Sequence, residues 1–135
     1  MKRALLLLPA LTLVLPGGAA QAARAGNAKP RAVVTATPVS DPDRFGRVDV
    51  LIHVDAADPD GQITELSIDL GDGVVVSMLL ACDPDAPAGT PATQELTWKY
   101  GPGQYTIRAV AFSTPDCFSG PFQQSRPAVA KLNVP

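Results

Sequence analysis

The sequence predicts an all-β chain, folded as a seven-stranded antiparallel sandwich of two sheets behind an N-terminal signal peptide. Three observations carry this expectation. From Pro30 onward, apolar residues recur with a period of two rather than about 3.6. The 135 residues include 14 prolines and 11 glycines, which interrupt helices and supply turns. Charged residues make up 18% of the chain, below the usual share of about a quarter, and no amphipathic helical window follows Gly26.

The first segment reads as an address. Lys2 and Arg3 precede an apolar run from Leu5 to Leu15, interrupted only by Pro9 and Thr12. Pro16-Gly17-Gly18 ends that run, and Ala20-Gln21-Ala22 fits the small-x-small rule for cleavage. A Sec-type signal peptide at 1–22 is expected, with Ala23-Arg24-Ala25 as the second choice of cut and a buried N-terminal strand as the alternative reading. The apolar run is too short to span a bilayer. No second long apolar run follows, so the mature chain is expected to be secreted, without membrane insertion. Residues 23–30 read as a flexible tether and 31–135 as the folded domain.

Seven strands follow in order. Ala32–Thr37 is a weak first strand stopped by Pro38. In Arg47–Ala56, Val48, Val50, Ile52 and Val54 point one way, and Asp49, Leu51, His53 and Asp55 the other. Ile63–Leu70 sets Leu66, Ile68 and Leu70 against Glu65, Ser67 and Asp69. Val74–Ala81 is nearly continuous in apolar residues and carries no charge. Gln94–Tyr100 alternates Leu96, Trp98 and Tyr100 with Glu95, Thr97 and Lys99. Gln104–Ser113 turns Tyr105, Ile107, Ala109 and Ala111 inward, and Ala128–Val134 does the same with Leu132 and Val134. Asp58-Pro59-Asp60-Gly61, Gly71-Asp72-Gly73 and Gly101-Pro102-Gly103 supply the reversals. This pattern predicts a sandwich of immunoglobulin type. The core is expected around Val50, Ile52, Ile68, Trp98 and Ile107.

Several of these residues stand in a familiar order. Asp58-Pro59-Asp60-Gly61-Gln62-Ile63 precedes Ser67-Ile68-Asp69-Leu70-Gly71-Asp72-Gly73, and Trp98-Lys99-Tyr100-Gly101-Pro102-Gly103-Gln104-Tyr105-Thr106-Ile107 comes later. The order resembles the PKD (polycystic kidney disease repeat) domain over most of Val33 to Val134. That family has a D-x-D-G-x-I turn, a W-D-F-G-D-G strand end and a Y-x-x-P-G-x-Y-x-V corner. Here Ile68 stands for the family's Trp and Leu70 for its Phe, Gly101-Pro102-Gly103 is a local variant, and Asp83–Thr93 and Pro115–Pro127 look like insertions. The resemblance implies an immunoglobulin-like sandwich in a secreted or surface protein, acting as an adhesive, spacer or contact module rather than a catalyst.

Cys82 and Cys117 are the only cysteines. In an exported chain two cysteines are most simply one disulfide, the alternative being two free thiols. The topology supports the pair. Val74–Ala81 and Gln104–Ser113 should finish at the same end of the sandwich, so the bridge would pin two long loops together at the rim.

Other chemistry is sparse. A net charge of −2 gives no support to a nucleic-acid partner. One histidine cannot build a multi-His metal centre. Asp55, Asp58 and Asp60, with Gln62 and Glu65 nearby, could offer calcium several oxygens from one tight turn, while an ordinary turn is the competing reading. Calcium is the only cofactor the sequence suggests. His53 is read as a surface histidine, because no G-x-S-x-G nucleophile motif accompanies it. Asp69 and Asp72 form a carboxylate pair at a strand end, with no sign of a deep pocket.

Contact surfaces are better supported. Val75 and Leu79 should lie opposite Met78 and Leu80, and Val110 and Phe112 opposite Tyr105 and Ile107. A shared apolar stripe on one outer sheet face follows, unless a loop carrying Phe118 or Phe122 folds over it. As an edge strand, Val74–Ala81 could pair with another chain. The loops Asp83–Thr93 and Thr114–Pro127 should lie at the same end as the acidic turn, where Phe118, Phe122, Gln123, Gln124 and Arg126 mix aromatic and polar groups. The expected function is a secreted, non-catalytic binding or adhesion module for a protein or carbohydrate partner. A structural spacer, and a small secreted hydrolase or inhibitor, are the alternatives.

Overall fold

Alternation alone requires that each strand bury one side, and the computed structural model shows how these sides meet. It describes residues 28–117 and 122–135. The expected signal peptide at 1–22, the tether residues 23–27 and Phe118 lie outside the described residues. Strands β1 (Arg31–Pro38), β2 (Val48–Ala57), β3 (Gln62–Asp69), β4 (Val75–Leu79), β5 (Ala92–Tyr100), β6 (Gly103–Thr114), β7 (Gln123–Gln124) and β8 (Ala128–Val134) account for its regular structure. None of the described residues is helical.

The strands form two antiparallel sheets. The smaller is β1-β2-β5 and the larger is β4-β3-β6-β7, with β8 also paired to β6. β7 takes the Phe112 end of β6, and β8 takes the stretch from Gly103 to Ala109. The chain crosses between sheets after β2, β4 and β5, the antiparallel sandwich that the sequence predicts.

Among the described residues there are eight strands rather than the expected seven. The addition, β7, lies in a stretch read as loop. Two glutamines leave no apolar alternation to read, and the strand forms because Phe112 and Ser113 offer an open edge. Ser125 extends the docking: its N–H donates to the Ala111 carbonyl at 2.9 Å, and its hydroxyl accepts from the Ala111 N–H at 2.9 Å. The predicted fourth strand is trimmed to Val75–Leu79, although Leu80 still donates its N–H to the Thr64 carbonyl.

The core lies between the sheets. Val50, Ile52 and Val54 from β2 are fully buried, and they meet Leu66 and Ile68 from β3 and Ile107, Ala109 and Ala111 from β6. Truncating one of the larger of these to alanine would cost about 2–5 kcal/mol. In β3 the inward phase shifts, since Ile63 is buried and so are Leu66, Ile68 and Leu70. The cause is a bulge between Ile63 and Glu65, which leaves Thr64 without an opposed residue on β6.

Trp98 does not sit in the centre as expected. β5 is an edge strand, so its inward residues Leu96 and Trp98 are covered from one side only and remain half-buried. Tyr100 is the large aromatic that the core encloses, and its hydroxyl donates to the Leu70 carbonyl at 2.9 Å.

Candidate functional site

The disulfide end is built first by local hydrogen bonds. In the β2–β3 turn, Asp58 Oδ1 accepts from the Asp60 N–H at 3.0 Å, and the Gly61 N–H donates to the Asp58 carbonyl at 3.3 Å. Gly61 is required here because an added Cβ would lie 2.3 Å from the Thr114 carbonyl oxygen. Gln62 then reaches across the end. Its amide donates to the Asp83 and Ala86 carbonyls and accepts from the Asp83 N–H. The Gly89 N–H donates to the Gly61 carbonyl at 3.1 Å. The loop after β4 is thereby laid against the acidic turn, and Cys82 meets Cys117 in a disulfide with Cα atoms 5.5 Å apart. The bond closes a span of 35 residues, worth about 4 kcal/mol on the chain-entropy argument.

The acidic residues proposed for calcium do not converge. Asp58 is buried in its own turn. Asp60 Oδ2 accepts from the Ala28 N–H at 2.7 Å. Asp55 points away, onto the outer face of the smaller sheet, where it accepts from the Thr93 hydroxyl at 2.7 Å and faces His53 Nε2 at 2.9 Å. Strand alternation separates Asp55 from the turn although only Ala56 and Ala57 lie between it and Asp58. Among the described residues, no three His, Cys, Asp or Glu side chains are grouped to hold a metal ion.

His53 is more constrained than a bare surface histidine. Its Nδ1 faces Glu95 Oε1 on β5 at 2.9 Å, while Nε2 faces Asp55. Only the imidazolium donates from both nitrogens. The hydrogen bonds to Glu95 and then Asp55 raise the His53 pKa above its ordinary 6.5. The Thr93 hydroxyl and then His53 lower that of Asp55.

Asp69 and Asp72 are turn builders. Asp69 Oδ1 accepts from the Gly71 N–H at 2.9 Å, and Asp72 Oδ1 accepts from the Val74 N–H at 3.0 Å. Asp72 Oδ2 accepts from Trp98 Nε1 at 2.8 Å.

The strongest surface feature is the outer face of the larger sheet. The register places Leu79, Glu65, Phe112 and Gln124 in one row across β4, β3, β6 and β7. The next row holds Ser77, Ser67 and Val110, and the one after it Val75, Asp69, Arg108 and Val129. Leu79 is 83% exposed, Val75 60% and Val129 53%. Val110 and Phe112 are half-buried. The described segment from Phe122 does not lie over this face, which was the alternative that Phe122 offered. It docks beside β6 as β7, in the plane of the sheet, and Phe122 is itself 75% exposed. Arg126 sits elsewhere, in a cleft of about 570 Å³ that it shares with Lys29, Arg31, Pro59 and Pro127.

No protein-family model matches the chain, and no curated protein matches it. Among solved structures it is similar to the PKD domain of an M14-like peptidase from Thermoplasmatales archaeon SCGC AB-540-F20, at 20% identity and a TM-score of 0.49. That match covers 81% of this chain and 98% of the other.

Proposed function

We propose that this protein is an exported, non-catalytic binding module that contacts a protein partner through the outer face of its larger sheet. The observation that carries the reading is the set of apolar side chains on that face, Val75 and Leu79 on β4 and Val110 and Phe112 on β6, flanking Glu65, Ser67 and Asp69 of β3, with Gln123–Gln124 held in the sheet plane as β7. Exposed apolar groups interleaved with polar and charged ones are the composition of a protein contact surface. Aliphatic groups with a single ring suit a protein better than a carbohydrate, which needs stacking platforms and convergent hydrogen bonds. The outer face of the smaller sheet offers a contrast, being covered by Asp49–Lys99 and His53–Glu95 pairs.

Export is supported by the signal-like N-terminal pattern and by the disulfide, which persists in an oxidising compartment. Residues 31–135 serve as the binding domain, and the expected tether at 23–30 is docked on it where the Ala28 N–H donates to Asp60 and Pro30 is buried. The test is affinity capture from the native extracellular medium and cell envelope, with Phe112→Asp and Thr97→Asp proteins run in parallel. Loss of a partner by Phe112→Asp alone is expected. Equal recovery by all three proteins overturns the reading.

A further inference from the structure

The edges of the sandwich differ in how they are protected. β1 carries Arg31 and Pro38, β5 carries Glu95 and Lys99, and β8 carries Lys131. Charges and prolines on edge strands discourage pairing with other chains. β4, Val75-Val76-Ser77-Met78-Leu79, has neither, and among the described residues it lies at the end of the larger sheet with one side unpaired.

Hydrogen-bond polarity fixes which groups are free. Leu70 donates to the Val74 carbonyl and Leu80 to the Thr64 carbonyl, each at 2.9 Å, while Val76 opposes Ile68 and Met78 opposes Leu66. The even-numbered residues of β4 therefore bond to β3. The N–H and C=O groups of Val75, Ser77 and Leu79 point to the free edge.

We infer that β4 pairs antiparallel with β4 of a second copy, about a two-fold axis at Ser77. In this register Val75 opposes Leu79, Ser77 opposes Ser77 and Leu79 opposes Val75. All of these are residues with free backbone groups, so each opposed pair exchanges two hydrogen bonds. On the outer face the apolar groups meet as Val–Leu pairs, and on the inner face Val76 meets Met78. The strand's apolar pattern is nearly symmetric about Ser77, so the two-fold sets apolar residues opposite apolar ones, and each contact occurs twice as in any isologous interface. Asp72 precedes β4 and Asp83 follows it, and on β3 the charges that share rows with β4 are Glu65 and Asp69. Across the joined edges Glu65 of one copy shares a row with Asp69 of the other, about 14 Å away at three strand spacings. That exceeds the screening length of about 10 Å at 0.1 M salt, so this pair of carboxylates does not oppose closure. The inference uses the strand edge, and it shares only Val75 and Leu79 with the face proposed for partner binding.

Sedimentation or light scattering of the purified protein, from about 10 μM to 1 mM, reads the pairing directly. A monomer–dimer equilibrium is expected. Val75→Lys with Leu79→Lys changes exposed side chains and sets lysines at each opposed outer pair. It should raise the dimer dissociation constant by about 100-fold or more, with circular dichroism and melting temperature unchanged. In the Ser77→Cys protein, a short bis-maleimide should join two chains, and in a Val39→Cys protein it should not, although Val39 is 55% exposed. Phe112→Asp should leave the dimer intact, which separates this inference from the partner-binding one. A monomer throughout the range, a dimer that survives the double lysine change, masses that grow beyond a dimer, or no bridging through position 77 would each overturn it.

Discussion

Trp98 and Asp72 join the two sheets where their edge strands do not pair. The indole N–H on β5 donates to the carboxylate in the β3–β4 turn at 2.8 Å. Close by, Tyr100 on the same strand donates to the Leu70 carbonyl at the end of β3. The two bonds differ in surroundings: the first is exposed and the second is buried. Removing the donor from a buried pair leaves an unsatisfied carbonyl, which costs about 1–3 kcal/mol. Tyr100→Phe should therefore lower the unfolding free energy by more than Asp72→Ala, for which about 0.5–1.5 kcal/mol is expected. Urea titrations of both variants check the order.

The disulfide should be formed and should matter. Intact mass should fall below the reduced value by two hydrogens, and alkylation without reductant should add nothing. The paired Cys82→Ser and Cys117→Ser changes should destabilise by about 2–4 kcal/mol, measured by denaturant unfolding. They remove a constraint on the unfolded chain while leaving the buried core between the sheets unchanged.

His53 links stability to pH. Its folded-state pKa is raised above 6.5 by the Glu95 and Asp55 carboxylates. The stabilising contribution is thus fully present below about 6.5 and is lost as pH rises through the higher folded value. Asp55, whose pKa is lowered, contributes in the opposite sense: its share is present above its ordinary carboxylate value of 3.8 and fades as pH falls through the lower folded value. A proton NMR titration of the imidazole should give a midpoint above 6.5. The melting-temperature difference between pH 6 and pH 8 should shrink in His53→Gln.

Two glycines separate crowding from backbone strain. At Gly61 a Cβ would clash with the Thr114 carbonyl, whereas at Gly73 nothing lies within 4 Å and only the positive φ of 95° resists substitution. Gly61→Ala should cost about 1–3 kcal/mol or more, with the acidic turn displaced. Gly73→Ala should cost about 1–2 kcal/mol. Thermal unfolding of the pair distinguishes them.

The same physics decides what could be read from the sequence. In β2, Val48 to Ala56 alternates through a strand flanked on both sides, so period two translates directly into burial. Alternation names a face and says nothing about lateral position, and for that reason Trp98 was expected in the core when it lies at an edge. Thr64 carries no sign of a bulge, because the extra residue is defined by β6. The Cys82–Cys117 pair was legible since both strands had to end at one rim. The His53–Glu95 contact was not: β2 and β5 are paired neighbours only in space, with 42 positions between these residues.

The order of strands also sets how the domain carries load. Arg31 at the start of β1 and Pro127 just before β8 line the same cleft, while Val134 at the far end of β8 pairs with Gly103. The first and last strands therefore run the same way, and the fold is entered at one pole and left at the other. Tension applied through those poles pulls along the strands, so the β1–β2 and β6–β8 ladders resist in shear with many bonds strained together, rather than opening one bond at a time like a zip.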